Sequence, residues 1–288
     1  RGDIVSKFKK FGISVLVIPS VEDIVSGKTK FDDLNFIDIN QLLGRKTINQ
    51  ENKDLFKLIK GKNIFVSGAG GSIGSELCMQ IMRYSPAKLI LFERSEINLY
   101  SINNKILKLN NIDVDLLPIL GCATDKKLIK RIFNDHNIDI IFHASAYKHV
   151  PIVESNPLQG IINNVISTKV LCEIAFSFSV EKFCLISTDK AVRPTNIMGA
   201  TKRLAELIVQ YYSYRSLEKV KEDYITNHKK TSFFMVRFGN VLNSSGSVVP
   251  LFKKQILQGG PVTLTHKKVT RYFMTISEAA FLVLNAAY

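Results

Sequence analysis

From Lys62 onward, two patterns of apolar and polar residues take turns along the chain. Short apolar runs at residues 63–67, 88–93, 115–119, 138–143, 182–187 and 232–238 read as strands buried on both faces. Between them, apolar residues spaced three and four apart mark helices at 74–84, 95–110, 125–136, 157–179 and 196–217. Alternation of this kind predicts an α/β fold, a doubly wound parallel sheet with helices on both faces. Residues 1–60 form a prelude, with a β-like run at 13–18 ended by Pro19 and a helix-like stretch at 51–60. The charge-rich stretch 211–230 is expected to be a surface excursion. After Gly239 the alternation gives way to a loop-rich tail, 241–271, and then a last apolar segment. The expected partition is a prelude over 1–60, a nucleotide-binding domain over 61–240, and over 241–288 part of a smaller, interleaved C-terminal substrate-binding lobe with a returning helix. Because the chain starts at Arg1 and stops inside an apolar run at Tyr288, it reads as a piece of something longer.

The first strand runs into a glycine-rich turn, Ser67-Gly68-Ala69-Gly70-Gly71-Ser72-Ile73-Gly74, which opens a helix. Glycines at 68, 71 and 74 allow a sharp turn and a close backbone approach to a pyrophosphate at the helix N-terminus, with Ser72 and Ile73 offering amides there. An acid, Glu93, closes the next strand, where it accepts hydrogen bonds from an adenosine ribose and repels a 2′-phosphate. Together these make the sheet Rossmann-like and the cofactor NAD. Arg94 beside the acid would instead attract that phosphate, so NADP stays open as the alternative. Cys122 and Ala123 follow the third strand, where they either touch adenine or pack. Ala144 and Ala146, after the fourth strand, are small where a dinucleotide backbone passes. His143 and His149 read as structural.

Composition narrows the class. At 288 residues, 46% hydrophobic and 22% charged, the chain has the makings of a globular core. It has no apolar run of membrane-spanning length and no signal peptide. The net charge of +14 is spread over dispersed lysines without a nucleic-acid motif, so a solvated basic surface is expected and no nucleic-acid partner. Four cysteines, Cys78, Cys122, Cys172 and Cys184, lack metal-ligand spacing, so they read as reduced core thiols and no metal is expected.

The chemistry concentrates in Ser187-Thr188-Asp189-Lys190-Ala191-Val192-Arg193-Pro194-Thr195-Asn196-Ile197-Met198-Gly199-Ala200-Thr201-Lys202. A short-chain dehydrogenase carries Tyr-x-x-x-Lys here; Lys202 supplies the lysine, but Met198 stands at the tyrosine position. A thioether neither accepts nor delivers a proton. A hydroxyl, a carboxyl and an amine, Thr188, Asp189 and Lys190, stand just upstream at the carboxyl end of a parallel strand, where ligands bind. Thr195 and Asn196 carry the N-cap signal for the helix that bears Met198 and Lys202.

These residues, with Ala146-Tyr147-Lys148-His149-Val150-Pro151, Arg237-Phe238-Gly239-Asn240-Val241-Leu242, Gly246-Ser247-Val248-Val249-Pro250 and Thr270-Arg271-Tyr272-Phe273-Met274-Thr275, resemble the extended short-chain dehydrogenase/reductase superfamily. Within it they look most like the nucleotide-sugar 4,6-dehydratases, in particular the long membrane-associated type acting on UDP-N-acetylglucosamine in polysaccharide and protein glycosylation, the bacillosamine pathway among them. Methionine at the position of Met198 is common in that type. The resemblance implies a redox-neutral lyase reaction: hydride passes from sugar C4 to NAD+, water is lost across C5–C6, and the hydride returns to C6. It also implies a cytoplasmic domain, anchored in the bacterial inner membrane only through an N-terminal segment missing here, and a homo-oligomer. Lys190 is then expected as the C5 base, its ammonium disfavoured by Lys202 and the nicotinium charge, and Asp189 as an enclosed, protonated acid for the C6 hydroxyl. Thr188, or Asp189 through it, takes the C4 hydroxyl proton, and Lys202 binds the nicotinamide ribose. Asn240, Arg237 and Arg271 are candidate contacts to the substrate diphosphate, with Lys148 and Val248 also facing substrate. Two alternatives remain: a nucleotide-sugar 4-epimerase or dehydrogenase, and a non-catalytic NAD-binding sensor.

Overall fold

The computed structural model of the chain describes residues 52–109, 114–222, 230–244, 246–264, 266–268 and 270–288, which fall in the unit Asn49–Tyr288. The β-like run expected at 13–18, and all of the prelude up to residue 51, lie outside the described residues.

Six parallel strands form the main sheet: β1 (Asn63–Ser67), β2 (Lys88–Glu93), β3 (Asp115–Leu120), β4 (Ile140–His143), β5 (Lys182–Thr188) and β6 (Ser232–Phe238), in the order β3-β2-β1-β4-β5-β6. The chain winds outward from β1 through β2 to β3, returns to β4 beside β1, and winds out the other way. The order reverses between β1 and β4, and in such sheets ligands bind outside the carboxyl ends of the strands at that reversal. The expected Rossmann-like sheet is thus present.

The central strands are apolar throughout because both faces are covered. One face packs Ile64, Val66, Leu89 and Leu91 against α1 (Lys53–Ile59), α2 (Ser72–Ile81), α3 (Glu96–Leu107) and a last helix, α10 (Ile276–Ala287). On the other, Phe65, Ile90, Phe92 and Phe183 meet α4 (Lys126–His136), α7 (Ser167–Ser177) and α8 (Ile197–Glu222). Thr275 starts α10 with a reciprocal capping box to Glu278. Cys78, Cys172 and Cys184 are buried in this core and all four cysteines are free thiols.

Three sequence expectations are corrected here. The excursion at 211–230 is helical as far as Glu222, because Tyr212 packs on Phe176 and Phe233, and Ser216 donates to the Thr231 carbonyl at 2.8 Å. The charges that suggested a loop have apolar stems to lay down: Arg215 and Lys219 both sit over the Phe176 ring. The tail after Gly239 is less loop-like than its composition suggested. It holds α9 (Val248–Leu257) and a two-stranded parallel sheet of β7 (Asn240–Val241) and β8 (Phe273–Met274). The segment expected as one helix over 157–179 is broken into α6 (Pro157–Ile161), a π-turn (Ile162–Ile166) and α7, preceded by the short α5 (Val150–Ser155).

Candidate functional site

The glycine-rich turn lies at the reversal point. Gly68 has φ +69°, and a Cβ there would stand 2.8 Å from the Ser145 amide, so only glycine lets the turn nest against the loop after β4. At Gly74 a Cβ would come within 2.0 Å of the Gly68 carbonyl oxygen, which fixes how closely α2 rises from the turn. Gly71, the N-cap of α2, gives the helix start no side-chain cap, so the positive end of a ten-residue helix faces the crevice. Ser72, Ile73 and Gly74 occupy its first turn. Glu93 closes the ring: its carboxylate accepts from the Gly70 amide at 2.9 Å, and from the amides of Arg94 and Ser95 at 2.9 and 3.0 Å. The turn therefore has the close approach, the helix dipole and the strand-end acid that an adenine dinucleotide needs.

The other expected cofactor residues line the same strand ends. Ala144 donates its amide to the Ser67 carbonyl at 3.0 Å, Ala146 follows it, and Ala123 is buried after β3 beside Cys122, whose thiol meets Thr124 at 3.0 Å. Arg94 reaches across to Tyr147, with Nη1 2.5 Å from the phenol oxygen. His143 is wholly enclosed between Ser67 (2.6 Å to Nδ1) and Thr168 (3.0 Å to Nε2). Burial, then the nearby Lys202 charge, push its pKa down to about 3, so the ring is neutral and structural, as the sequence suggested.

At the end of β5 the chain turns sharply through Asp189–Ala191. Gly199, in the first turn of α8, makes this possible: a Cβ there would lie 2.4 Å from the Lys190 carbonyl. Asn196 caps that helix, accepting from the Gly199 amide at 2.8 Å. Met198, the residue before Gly199, is buried at 2% exposure. Thr188 donates to Asp189 Oδ1 at 2.9 Å, and Lys190 Nζ lies 3.1 Å from the same oxygen and 3.4 Å from Asn240 Oδ1. Asn240 is held there because β7 pairs with β8, and its amide donates to the Tyr272 carbonyl at 3.3 Å. The structure thus gathers Thr188, Asp189, Lys190, Met198 and Asn240 in one place.

Electrostatics at the turn differ from expectation. Asp189 is not enclosed: its side chain is 50% exposed. Burial raises its pKa, but hydrogen bonds from Thr188 and Lys190 and the Lys190 charge outweigh that, and the carboxyl ends below its usual range. The expected protonated acid is here a carboxylate paired with an ammonium. Nor does Lys202 confront Lys190. Its Nζ turns beneath the strand to donate to the Ile186 carbonyl at 2.7 Å, and burial, opposed by the Glu206 charge, lowers its pKa to about 8.

Of the expected substrate residues, Arg237 is engaged elsewhere. Its guanidinium grips the fully buried Glu206 with both ends, Nε at 2.7 Å and Nη2 at 2.5 Å. Ser187 (2.6 Å) and Arg203 (3.0 Å) complete that cluster. Arg271 is exposed and bonds the Thr270 carbonyl; Lys148 is on the surface of the loop that leads into α5; Val248 begins α9 at 39% exposure. The loop leading to Val248 is seated on His149, whose ring fills the space where a Cβ of Gly246 would be. Sequence reasoning missed Glu206 and Asn164. A charged residue one turn beyond Lys202, on a face otherwise built of Ala205 and Val209, was the available signal for the first. An amide inside a long apolar helix pattern was the signal for the second.

Comparison with known proteins bears out the fold and gives the family. The family model described as "Polysaccharide biosynthesis protein" matches residues 64–288. The capsular polysaccharide biosynthesis protein CapD of Staphylococcus aureus is 43% identical over 96% of this chain, which spans 44% of that relative's length. The UDP-N-acetylglucosamine 4,6-dehydratase (inverting) of Campylobacter jejuni strain 81-176 is 32% identical over 79% of this chain and 64% of its own. Among solved structures, a double mutant of DesIV, the dTDP-glucose 4,6-dehydratase of Streptomyces venezuelae with NAD and DAU bound, superposes with a TM-score of 0.62 at 18% identity, over 77% of this chain and 70% of its own, a likeness of fold. With a match that runs from the first strand of the sheet to the last helix, the chain belongs to the polysaccharide biosynthesis protein family.

Proposed function

We propose that the chain carries the catalytic centre of an NAD-dependent nucleotide-sugar 4,6-dehydratase, with UDP-N-acetylglucosamine as substrate. The observation that carries this reading is the Thr188-Asp189-Lys190 turn, with Lys190 Nζ 3.1 Å from Asp189 Oδ1 and a thioether in place of the usual phenol. Bound at the 68–74 turn, NAD+ would take and return the hydride. Glu93 would hold the adenosine ribose, and Lys202 the nicotinamide ribose.

The protein's own part is proton handling. The Asp189–Lys190 ion pair and its neutral form, amine plus carboxylic acid, contain the same number of protons. A bound sugar nucleotide would exclude water, and a desolvated ion pair loses stability relative to the neutral pair. Moving one proton from Nζ to the carboxyl creates a base and an acid together. The Lys190 amine can then remove the C5 proton, acidified by the 4-ketone, while Asp189 protonates the departing C6 hydroxyl. Thr188 relays the C4 hydroxyl proton to bulk water, and bulk water returns a proton to Lys190 once that lysine has delivered its own to C5, which restores the Asp189–Lys190 ion pair. Asn240 keeps Lys190 aimed, and Arg271 and Lys148 are the cations open to a diphosphate. An epimerase needs no acid and base of this kind. A non-catalytic sensor has no use for them either.

Met198 is buried, and its thioether has no proton to exchange, so its part in this reading is packing. Met198→Leu conserves volume in a buried site and should keep substantial turnover, at under ~1.5 kcal/mol of stability. Thr188→Val should slow C4 oxidation, seen as less NADH absorbance in a single turnover. The reverse outcome, a dead Met198→Leu and a normal Thr188→Val, contradicts the relay.

The cofactor can be tested on its own. Gly74→Ala sets a methyl against backbone and should abolish dinucleotide retention. The nucleotide released by denaturing the parent protein should be NAD(H). Membrane attachment and self-assembly, which would belong to a longer chain, are further parts of this proposal: no helix among the described residues is long and apolar enough to cross a membrane, and one relative is named an uncharacterized membrane protein of Methanocaldococcus jannaschii.

A further inference from the structure

Arg94 and Tyr147 meet above the glycine-rich turn, and how they meet bears on which dinucleotide the crevice accepts. Strands β2 and β4 flank β1, so a residue just past β2 can touch one just past β4 only by crossing the carboxyl end of β1. Arg94 makes that crossing. Its Nη1 donates to the Tyr147 phenol oxygen at 2.5 Å, and its guanidinium carbon lies 5.7 Å from the ring centre. Planar guanidinium on aromatic face, with a hydrogen bond at the rim, is a favourable way to occupy an exposed arginine.

Both ends of the bridge are fixed. Glu93 ties the end of β2 to the turn by accepting from the amides of Gly70, Arg94 and Ser95. The backbone of Tyr147 is clamped on both sides by one buried side chain, Asn164. The Tyr147 amide donates to Asn164 Oδ1 at 2.7 Å, and Asn164 Nδ2 donates to the Tyr147 carbonyl at 3.0 Å. Asn164 sits in the π-turn between α6 and α7, and also donates to Thr201 Oγ1 at 3.0 Å on α8. A π-turn inserts a residue into a helix and re-aims the side chains around it, a geometry that recurs at functional sites. Here it aims an amide at the Tyr147 backbone.

An arginine beside the strand-end acid is the group that accommodates the 2′-phosphate of NADP. In this chain that arginine is drawn away from the acid, across β1 toward β4. We propose that Tyr147, positioned by Asn164, is a specificity-determining residue: it withholds Arg94 from a 2′-phosphate and so keeps the crevice selective for NAD over NADP. The inference rests on the dinucleotide reading of the crevice and is independent of the sugar chemistry.

A competition experiment reads this without turnover. The protein is equilibrated with equal concentrations of NAD+ and NADP+, freed of unbound nucleotide, denatured, and the released nucleotides are separated. The parent should release NAD. Tyr147→Ala should raise the NADP share of the bound nucleotide, moving the ratio by roughly tenfold or more, as expected for freeing a charge-assisted donor for a phosphate. Tyr147→Phe, which keeps the ring, should move it less. In an Arg94→Gln background, Tyr147→Ala should not move the ratio at all. An unchanged ratio in Tyr147→Ala, or a change that persists without Arg94, overturns the role given to Tyr147. A parent that retains neither nucleotide overturns the dinucleotide reading itself.

Discussion

Replacing Lys190 with methionine is expected to abolish both product formation and solvent deuterium incorporation at sugar C5, with the fold intact. The side chain is about a third exposed, so methionine causes no burial problem; what goes is the amine that takes the C5 proton in the proposed reaction. Loss of an acid–base group costs on the order of 10²–10⁴ in rate. Asp189→Asn should fall by a comparable factor for a different reason. In the proposed reaction it leaves Lys190 without the carboxylate that would receive its proton and the C6 hydroxyl without an acid. Hydride transfer from C4 should survive better than elimination in both variants, so NADH should accumulate in a single turnover. Wild-type rates in either variant would remove the pair from the mechanism.

The second large effect concerns stability. Arg237→Leu leaves the Glu206 carboxylate, fully buried, with only Ser187 and Arg203. Breaking a buried ion pair from one side is costly, but the Arg237 side chain is 39% exposed and solvent screens part of the loss, so about 1–3 kcal/mol is expected. Replacing both partners, Glu206→Leu with Arg237→Leu, should recover much of it. The pH dependence has a definite sign. Burial raises the Glu206 pKa, but the hydrogen bonds from Arg237, Ser187 and Arg203 and the Arg237 charge outweigh it, leaving the folded value below the ordinary 4.5. Its contribution is therefore present above about that pH and lost as pH falls through the lower folded value. Melting curves of parent and Arg237→Leu should converge toward acid. If Arg237 instead contacted the substrate diphosphate, the variant would keep its melting temperature and lose KM alone.

The sheet was legible because burial on both faces writes each central strand as an unbroken apolar run, and five of the six strands lie within one residue of the expected bounds at both ends, the exception being β4, which starts two residues late at Ile140. The glycine-rich turn was legible too, since close backbone approach leaves no choice of residue at Gly68 and Gly74. Boundaries after Tyr211 were not, because charge along a helix looks like a loop until the aromatic rings beneath Arg215 and Lys219 are known. The α9 segment was hidden by the glycines and polar residues around it. At the β5 turn the residue types suggested acid–base chemistry, but did not give the resting charge of Asp189. Whether Asp189 is neutral depends on which donors reach it, and the Lys190 and Thr188 contacts are set by the chain reversal at Gly199. The pairing of Arg237 with Glu206 joins residues 31 positions apart on different elements, and neither position announces the other.

The most direct test of the proposed reaction follows one atom. UDP-N-acetylglucosamine deuterated at C4 is incubated with the protein and NAD+, and the product is examined by mass spectrometry and NMR. Dehydration predicts loss of one water and a 4-keto-6-deoxy sugar that carries the label at C6, because hydride taken from C4 returns to the exocyclic methylene carbon left by elimination. A sugar that keeps its oxygen count and bears the label back at C4 with inverted configuration would contradict it.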